Sequence, residues 1–330
     1  MLTRRGPICT ELDSLGIRYE TWSRHDTSNL HAFATGMIQS YRFFAASQID
    51  LIHFNHGCIG WRPAELAVAR YRKIPRVVHC QRIVRTSSPD LLQASVAITS
   101  SAFLANSSDT GKVEKRTVYD VVDLSRFSGG VSVRGALGID SSHTVFSFIG
   151  RARRAKGLEQ FIQLASRLRG ENIRFLITRQ RAGRPTADVY EPHEIATLIA
   201  GDKRIHYLDF REDIENIYAS SDVIVMPSQE DEHCPAVPAE AAAAGIPILA
   251  TDAGATVEMV KHGITGFLVD RADMNSLVTY AERLTLDTDL RRTMGAAARE
   301  FVEEKFWRTP IIEIESLYDE LISGANRGRA

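Results

Sequence analysis

The clearest pattern of apolar and polar positions lies between Ser221 and Asp270. The apolar run 223–226 is followed by Pro-Ser and predicts a buried strand that ends in a turn. The Ala-rich segment 236–244 predicts a helix closed by Gly245, and the apolar residues 246–250 predict the next strand. A strand, a loop, a helix and a second strand in this order require a parallel sheet with a right-handed crossover.

Helix and strand patterns alternate through the rest of the chain. Helices are predicted at 30–44, 63–71, 158–168, 214–220, 274–284, 290–304 and 311–322, and strands at 49–57, 74–79, 96–100, 145–151, 173–178 and 203–211. This alternation predicts a doubly wound α/β sheet. Ser128-Gly129-Gly130 is interpreted as linker, and a second domain is expected to start close to Thr144.

The loop 228–235 is the first candidate binding site, because ligands of parallel sheets bind beyond the carboxyl ends of the strands. The predicted helix after it begins with unpaired amides at Ala236 and Val237, which suit a phosphate. Two carboxylates, Glu232 and Glu240, flank this position. An ionised carboxylate only accepts hydrogen bonds and repels phosphate, so the hydroxyls of a sugar and a ribose are its expected partners.

Composition narrows the class of protein. With 330 residues, 44% hydrophobic and 25% charged, the chain is long enough for two domains with separate cores. A net charge of −1 favours neither a nucleic-acid binder nor a basic membrane-surface protein. Four cysteines without metal-type spacing indicate a reducing cytoplasm. The sequence has no apolar run of membrane-spanning length, and residues 1–7 lack the apolar segment that is typical of a signal peptide, so any membrane contact is expected to be peripheral, at the inner face.

Several motifs carry a resemblance to one known family. A Glu, seven residues and a second Glu precede an Ala-rich helix, Gly-x-Pro, Thr-Asp, a Gly-containing turn, another Glu and Gly-x-x-Gly-Phe-Leu-Val. These positions are Glu232, Glu240, Gly245, Pro247, Thr251, Asp252, Gly254, Glu258, Gly263 and 266–269. Residues 150–157 add a complete Gly-Arg-x-x-x-x-Lys-Gly. The chain resembles the retaining glycosyltransferases of group 1 (family four), which have the GT-B fold.

Three stretches depart from the pattern of that family. The usual Glu-Gly-Phe-Gly or Glu-Gly-Phe-Pro loop reads Glu232-His233-Cys234-Pro235 here. Asp120-Val121 replaces an Asn-Gly at the interdomain junction, which removes a glycine that tolerates positive φ. Thr178-Arg179-Gln180 replaces a Gly-x-Gly after a strand.

The resemblance implies an α/β protein with two Rossmann-like, doubly wound parallel-sheet domains that face a cleft. The expected bounds are 1–127 for an acceptor-side domain, 128–143 for a linker and 144–305 for a nucleotide-sugar-binding domain, with a C-terminal helix at 306–325 that joins the first domain. Family members open with a strand, a Gly-rich loop, a helix and a second strand, whereas this chain resembles the stretch that follows. We therefore expect a truncated N-terminal domain; a misassigned start codon is the alternative explanation.

The resemblance also implies roles for individual residues. Arg151 and Lys156 clamp the diphosphate, because Arg supplies a planar fork of donors and Lys a mobile point charge. Glu232 orients the donor sugar, and Glu240 binds the ribose hydroxyls. The predicted donor-binding set is completed by Pro235, Ala236, Val237, Gly150 and Phe210. The neighbouring Arg153 and Arg154 are interpreted as a solvated face.

One histidine of the N-terminal half is a further candidate. His79 lies at the carboxyl end of a predicted strand, where the histidine of similar enzymes approaches the donor sugar or the acceptor. A histidine that is hydrogen-bonded within a loop is the structural alternative. His53 is interpreted as structural, and the role of His56 stays open.

The implied reaction is the transfer of a sugar from a nucleotide-diphosphate sugar, such as a UDP or GDP sugar, with retention at the anomeric carbon. Catalysis of this kind is mainly electrostatic and needs neither a metal nor another cofactor. Glycans, lipid-linked sugars and small metabolites are all compatible acceptors. Two alternatives stay open: a nucleotide-sugar-binding remnant without turnover, and a sugar-nucleotide epimerase.

Two acidic segments invite a metal interpretation. Residues 230–234 contain ligand-type side chains, but adjacent residues of one loop do not easily face one ion, and the resemblance is to metal-independent enzymes. Asp287-Thr288-Asp289 lies between predicted helices and is interpreted as a cap or turn. We therefore expect no metal at either segment.

Overall fold

The computed structural model describes residues 2–3, 7–17, 20–21, 30–55, 64–85, 91, 94–179 and 188–327. The chain divides into two compact units. The first comprises Met1–Thr99, Ala105–Thr117 and Glu315–Ala330, and the second comprises Ser100–Leu104 and Val118–Ile314. The domain bounds implied by the resemblance stay a prediction.

The first unit is built on parallel strands. Its strands are β1 (Leu2–Thr3), β2 (Glu20–Thr21), β3 (Ile52–Phe54), β4 (Arg76–Cys80), β5 (Val96–Thr99) and β6 (Glu114–Thr117). Helices α1 (Pro7–Ser14), α2 (Leu30–Ala46) and α3 (Ala64–Tyr71) alternate with them, whereas α4 (Ala102–Ser107) begins with residues of the second unit and ends with residues of the first. Strand β1 pairs with β2, and a second sheet has the order β3-β4-β5-β6.

Strand β6 was not predicted from the sequence. Its four residues, Glu-Lys-Arg-Thr, contain no apolar side chain and are exposed or half-buried. The strand lies at the edge of its sheet, where charged side chains are common because they discourage pairing with another chain. An edge strand of this kind has no apolar run by which a sequence pattern could identify it.

The second unit contains a six-stranded parallel sheet of order β12-β11-β10-β7-β8-β9. Its strands are β7 (Thr144–Gly150), β8 (Ile173–Arg179), β9 (Ile205–Leu208), β10 (Val223–Met226), β11 (Ile248–Thr251) and β12 (Gly266–Val269). Its helices are α5 (Leu124–Ser128), α6 (Leu158–Arg167), α7 (Pro192–Ile199), α8 (Ile214–Tyr218), α9 (Ala236–Ala243), α10 (Thr256–Met259), α11 (Met274–Leu286) and α12 (Thr288–Glu303). A π-helical turn, Glu304–Arg308, leads into α13 (Thr309–Arg327).

Both faces of this six-stranded sheet are buried. Along β7, Val145 and Ile149 join one hydrophobic core, whereas Phe146 and Phe148 join the core on the other face. Successive residues of a strand point to opposite faces, so a strand covered on both faces is apolar throughout. This is why β10 is an unbroken apolar run in the sequence and why apolar residues predominate in β7, β8 and β11.

Aspartates cap several helices of the second unit. Asp123 accepts a hydrogen bond from the amide of Arg126 at the start of α5, and Asp287 accepts one from the amide of Leu290 at the start of α12. The interpretation of Asp287 as a cap is therefore confirmed. Val121 does not adopt a positive φ, so the loss of the expected glycine there leaves no strained backbone. In the part of the chain that the structure describes, no helix has the length and apolar character needed to span a membrane.

Candidate active site

Two loops follow neighbouring strands at one edge of the six-stranded sheet. The basic loop, residues 151–157, follows β7, and the carboxylate loop, residues 227–235, follows β10. Because β7 and β10 are adjacent and parallel, their carboxyl ends lie at the same edge. The amide of Gln229 donates to the carbonyl of Ala155 at 2.8 Å, which joins the two loops directly.

Gly157 fixes the basic loop against the end of β10. It has φ +78°, a left-handed conformation, and a Cβ at this position would lie 1.8 Å from the carbonyl oxygen of Pro227. Both the conformation and the close approach require glycine. The final Gly of the Gly-Arg-x-x-x-x-Lys-Gly motif therefore has a structural reason of its own.

Glu232 is held on both its side chain and its backbone. Lys156 Nζ lies 2.7 Å from each carboxylate oxygen, and the Ser228 hydroxyl donates to Oε1 at 2.6 Å. The carbonyl of Glu232 accepts from the amide of Ala255 at 2.7 Å. Gly254 packs against the backbone of Glu232. It has φ +55°, and a Cβ at this position would lie 2.5 Å from the Glu232 carbonyl oxygen, so there is no room for a side chain. A buried carboxylate thus stands in one fixed position with a cation beside it.

The arginines of the basic loop have different surroundings. Arg153 forms an ion pair with Asp188. Arg154 forms ion pairs at 3.2 Å and 2.9 Å with glutamates of α6 and α7 and lies over the ring of Tyr190. The guanidinium of Arg151 is exposed and makes no hydrogen bond or ion pair to any described residue. Arg151 is therefore the arginine of this loop whose donors are available to a ligand.

Glu240 lies on α9 and has a different environment from Glu232. The hydroxyl of Tyr218, a fully buried residue of α8, donates to its Oε2 at 2.6 Å. Burial raises the pKa of Glu240, and the hydrogen bond from Tyr218 and the positive charge of Arg126 partly oppose this rise. The phenol also has a raised pKa, mainly because it is buried, so it keeps its proton and acts as the donor.

The start of α9 contributes backbone donors. Pro235 is the N-cap residue, with extended backbone, and α9 begins at Ala236. The amides of Ala236 and Val237 donate no hydrogen bond to a described residue. Ala236 is exposed, and Val237 is almost buried. Since the first amides of a helix have no intrahelical partner, they are available to an anion.

Gly150 and Phe210 lie at the carboxyl ends of β7 and β9. A Cβ on Gly150 would meet only the ring of Phe148, at 3.8 Å, so the chain itself does not require glycine there. Phe210 is 40% exposed and stands two residues after the end of the half-buried edge strand β9. Phe210 is therefore accessible for contact with a ligand at this sheet edge, whereas Gly150 is buried.

The structure places His79 in the first unit, whereas the other predicted site residues belong to the second. His79 is buried on β4, and its ring stacks on that of His53 at 5.7 Å between centroids. His53 Nδ1 lies 2.5 Å from the hydroxyl of Tyr318. Burial, and secondarily His79, lower the pKa of His53 to about 4, so His53 is neutral at physiological pH. His56 lies outside the described residues.

His233 and Cys234, which replace the Gly and the Phe of the family loop, are packed against other parts of the second unit. The ring of His233 stacks on that of Phe103, and its carbonyl accepts a hydrogen bond from the hydroxyl of Ser101. Burial, followed by the nearby charge of Asp120, raises the pKa of the Cys234 thiol to about 12. The thiol is therefore protonated and unreactive at neutral pH.

Sequence reasoning missed three functional contacts of this region. Ser228 and Tyr218, the partners of Glu232 and Glu240, were assigned no role. Glu258 was noted only as a motif position, yet its carboxylate accepts hydrogen bonds from the amides of Ala102 and Phe103 and from the hydroxyl of Tyr119. Tyr218 is 22 positions from Glu240, and Ala102 is 156 positions from Glu258, so no local spacing indicates these contacts, whereas Ser228 is only four positions from Glu232.

Comparison with known proteins agrees with this geometry. Residues 132–301, slightly more than half of the chain, match the family described as glycosyl transferases group 1. A D-inositol 3-phosphate glycosyltransferase of Corynebacterium urealyticum is 25% identical over 344 aligned residues, which cover 94% of this chain and 81% of that protein.

Solved structures show the same fold. A glycosyltransferase of Rickettsia africae superposes with a TM-score of 0.83 at 18% identity, over 97% of this chain and 89% of that one. HepE of Anabaena, in complex with UDP, superposes with a TM-score of 0.74 at 21% identity, over 97% and 90% of the two chains. The expected α/β fold of the GT-B kind is thereby confirmed. The chain belongs to the group 1 glycosyl transferases.

Proposed function

We propose that this protein transfers a sugar from a nucleotide-diphosphate sugar to an acceptor, with retention of the anomeric configuration and without a metal ion. The observation that carries the proposal is the pair of held carboxylates beside unused donors. Glu232 is fixed by Lys156 and Ser228, and Glu240 is held by Tyr218, at a sheet edge where Arg151 has no partner among the described residues. These groups match the hydroxyls and the diphosphate of such a donor.

The diphosphate is bound by positive charge and backbone amides. Arg151 supplies a guanidinium with several N–H donors, and Lys156 supplies an ammonium group. The amides of Ala236 and Val237, at the positively polarised N-terminus of α9, donate further hydrogen bonds. Gly150 leaves room for close approach, since a side chain there would meet no backbone. Because Lys and Arg supply the positive charge, the leaving diphosphate needs no metal ion for neutralisation.

The two carboxylates accept hydrogen bonds from the nucleoside and from the sugar of the donor. Glu240 accepts a hydrogen bond from the ribose, with Phe210 beside the base. Glu232 orients the sugar hydroxyls, with its charge balanced by Lys156. In the transfer step the bond between the anomeric carbon and the diphosphate oxygen breaks, and a bond to the acceptor oxygen forms on the same face. The acceptor proton passes to the departing diphosphate, which therefore serves as the base, and the acceptor oxygen bonds directly to the anomeric carbon without a protein nucleophile.

The acceptor is a glycan, a lipid-linked sugar or a small metabolite, and His79 of the first unit is the residue proposed to approach it or the donor sugar. The relatives named for D-inositol 3-phosphate make a phosphorylated polyol the first small acceptor to try. The UDP bound to HepE makes a UDP sugar the first donor to try.

Nucleotide binding tests the proposal. Thermal unfolding is measured with UDP, GDP, ADP and CMP and their sugars, on the wild type, Lys156→Ala and Glu240→Ala. One nucleotide at 100 times its dissociation constant should stabilise the wild type by about 2.7 kcal/mol, and both variants should lose the shift. Lys112→Ala and Glu300→Ala, changes at exposed positions of the chain, are the matched controls and should keep it.

Turnover separates the proposal from its alternatives. The product of the identified donor and a set of acceptors is followed by NMR, with and without EDTA. Retention of configuration and a rate unaffected by EDTA are expected. Tight binding of a nucleotide sugar with no transfer to any acceptor would favour a binding remnant, and release of an epimerised free sugar would favour an epimerase.

A further inference from the structure

We propose that Tyr218 is a positioning residue for the donor, because it holds one oxygen of the Glu240 carboxylate so that the other oxygen accepts a ribose hydroxyl. This inference rests on the proposed function, since it requires Glu240 to bind the ribose. The geometry that carries it is the 2.6 Å hydrogen bond from the Tyr218 hydroxyl to Oε2 of Glu240. No described residue donates to Oε1.

Tyr218 is fixed in place by its surroundings. Its side chain is fully buried on α8, and its ring packs edge to face on that of Phe127, with centroids 5.3 Å apart. A buried aromatic ring has few rotamers available. The phenol therefore sets where Oε2 lies and, through the planar carboxylate, where Oε1 lies.

The hydrogen bond has one polarity. An ionised carboxylate only accepts, and a phenol of raised pKa keeps its proton and donates. Glu240 is consequently held as a hydrogen-bond acceptor. A ribose hydroxyl is a donor that fits the remaining oxygen, whereas a phosphate oxygen would be repelled.

Other charged groups near α9 are committed elsewhere. Arg126 of α5 forms an ion pair with Glu215 at 2.9 Å, and its charge reaches Glu240 only through space. Glu258 of α10 accepts from two amides and a phenol, as described above. Arg299 of α12 donates to the carbonyls of Leu124 and Ala243. Among the described residues, Tyr218 is the one that donates to the Glu240 side chain.

Loss of the phenol should change the pH dependence of binding. Burial raises the pKa of Glu240, and the Tyr218 hydrogen bond lowers it. Without that bond the carboxyl takes up its proton at higher pH and ceases to be a pure acceptor. Donor affinity should therefore fall at neutral pH and recover as the pH increases. A tyrosine with a purely structural role would not move this pH profile.

The experiment measures the affinity for UDP, GDP and ADP by calorimetry between pH 5 and pH 9. Tyr218→Phe should bind the preferred nucleotide about tenfold more weakly at pH 7, the loss expected for one hydrogen bond to a charged group. The midpoint of its pH profile should lie at higher pH than in the wild type. Tyr190→Phe is the matched control, because Tyr190 is also buried and donates to a different carboxylate, Glu159, at 2.5 Å. It should retain wild-type affinity and pH profile.

Affinity and pH profile of Tyr218→Phe equal to those of the wild type would overturn the inference. If Tyr218→Phe does not fold, the double variant Tyr218→Phe/Glu240→Gln replaces it. Equal affinity of the double variant and Glu240→Gln supports action through Glu240, and a further loss in the double variant overturns it. A failure of the proposed function looks different: either the wild type binds no nucleotide, or Glu240→Gln binds as the wild type does. In that case the proposed ribose contact of Glu240 is wrong, and the role proposed for Tyr218 is wrong as well.

Discussion

Glu232 and Glu240 lie close together in sequence, yet the protein holds the two carboxylates by different means. Glu232 has an ammonium at 2.7 Å from both oxygens and a serine hydroxyl on one of them. Glu240 has a single neutral phenol, and burial raises its pKa. The first carboxylate is therefore compensated by a cation in direct contact, whereas the second is compensated by a hydrogen bond and, through space, by the charge of Arg126. We therefore expect the stability around Glu232 to depend on Lys156, and the protonation of Glu240 to change with pH.

The difference follows from the elements that carry the two residues. Glu232 is in a loop, where the basic loop of the neighbouring strand brings Lys156 within reach. Glu240 is inside α9, a helix of small residues packed into a hydrophobic core, where only long side chains of adjacent helices reach it. Charged side chains from neighbouring loops can approach a residue in a loop at the end of a strand, whereas few of them can approach a residue of a helix packed in a core.

The largest effect is expected from a change that displaces the cation beside Glu232. Gly157→Ala would place a Cβ 1.8 Å from the Pro227 carbonyl at a residue with φ +78°. The chain must move, so we expect a loss of at least about 3 kcal/mol in the free energy of unfolding, together with loss of nucleotide binding. Chemical denaturation and calorimetry measure the two effects.

Gly150→Ala, at the other end of the same motif, is the control. Its Cβ would meet only the Phe148 ring, at an ordinary contact distance of 3.8 Å. Stability should change by less than about 1 kcal/mol, while donor affinity falls because the added methyl group occupies the space proposed for the diphosphate. Equal destabilisation by the two substitutions would contradict the structural role assigned to Gly157.

The next largest effect tests the ion pair itself. Lys156→Met leaves Glu232 buried with only the hydroxyl of Ser228 as its partner. Breaking a buried pair costs roughly 3–5 kcal/mol, and here the Lys side chain is 25% exposed, so about 2–3 kcal/mol is expected. Donor binding should be lost as well. Denaturant unfolding at pH 7 measures the stability change.

The double variant Lys156→Met/Glu232→Gln separates stability from function. Removing the carboxylate charge together with its cation should restore most of the lost stability, because no uncompensated charge stays buried. Activity should not return, since both groups contact the donor in the proposed mechanism. A double variant as unstable as Lys156→Met would show that the ion pair is not the source of the loss.

Much of the fold could be predicted from the sequence because the second sheet is buried on both faces. The strands around 145–150, 173–179 and 223–226 gave apolar runs, and their bounds agree with the structure within about a residue. Strand β6 could not be predicted, since its charged edge has no such run. The motif Gly-Phe-Leu-Val at 266–269 does not by itself predict strand β12, because the segment is short and begins with a glycine.

The candidate site was predictable only in part. Spacing and motif located Glu232, Glu240 and Lys156, but their partners depend on how separate elements pack. Nothing in the sequence joins Lys156 to Glu232 across 76 positions, or Tyr218 to Glu240 across 22. The sequence therefore indicates which residues are candidates for the site, and tertiary packing decides which partners hold each of them.

The smallest effect concerns the pH dependence of stability. The pKa of Glu240 is raised in the folded protein above its ordinary value of 4.5, so the folded state holds this proton after the unfolded chain has lost it. The contribution of this group to stability is complete below pH 4.5 and is lost as the pH rises through the raised pKa. Glu240→Gln lacks this loss, so its stability relative to the wild type should increase with pH and then level off.

Glu194→Gln should behave in the opposite way, which makes it the control for that measurement. The amide of Glu191 lowers the pKa of Glu194, so this carboxylate stabilises the fold above its ordinary pKa and ceases to do so as the pH falls through the lowered value. Glu194→Gln should therefore be less stable than the wild type near neutral pH, with a difference that disappears in acid. Unfolding by urea across pH 4 to 8 compares the two variants. Parallel pH profiles would mean that burial does not raise the pKa of Glu240, and the contrast with Glu232 would then lose its physical basis.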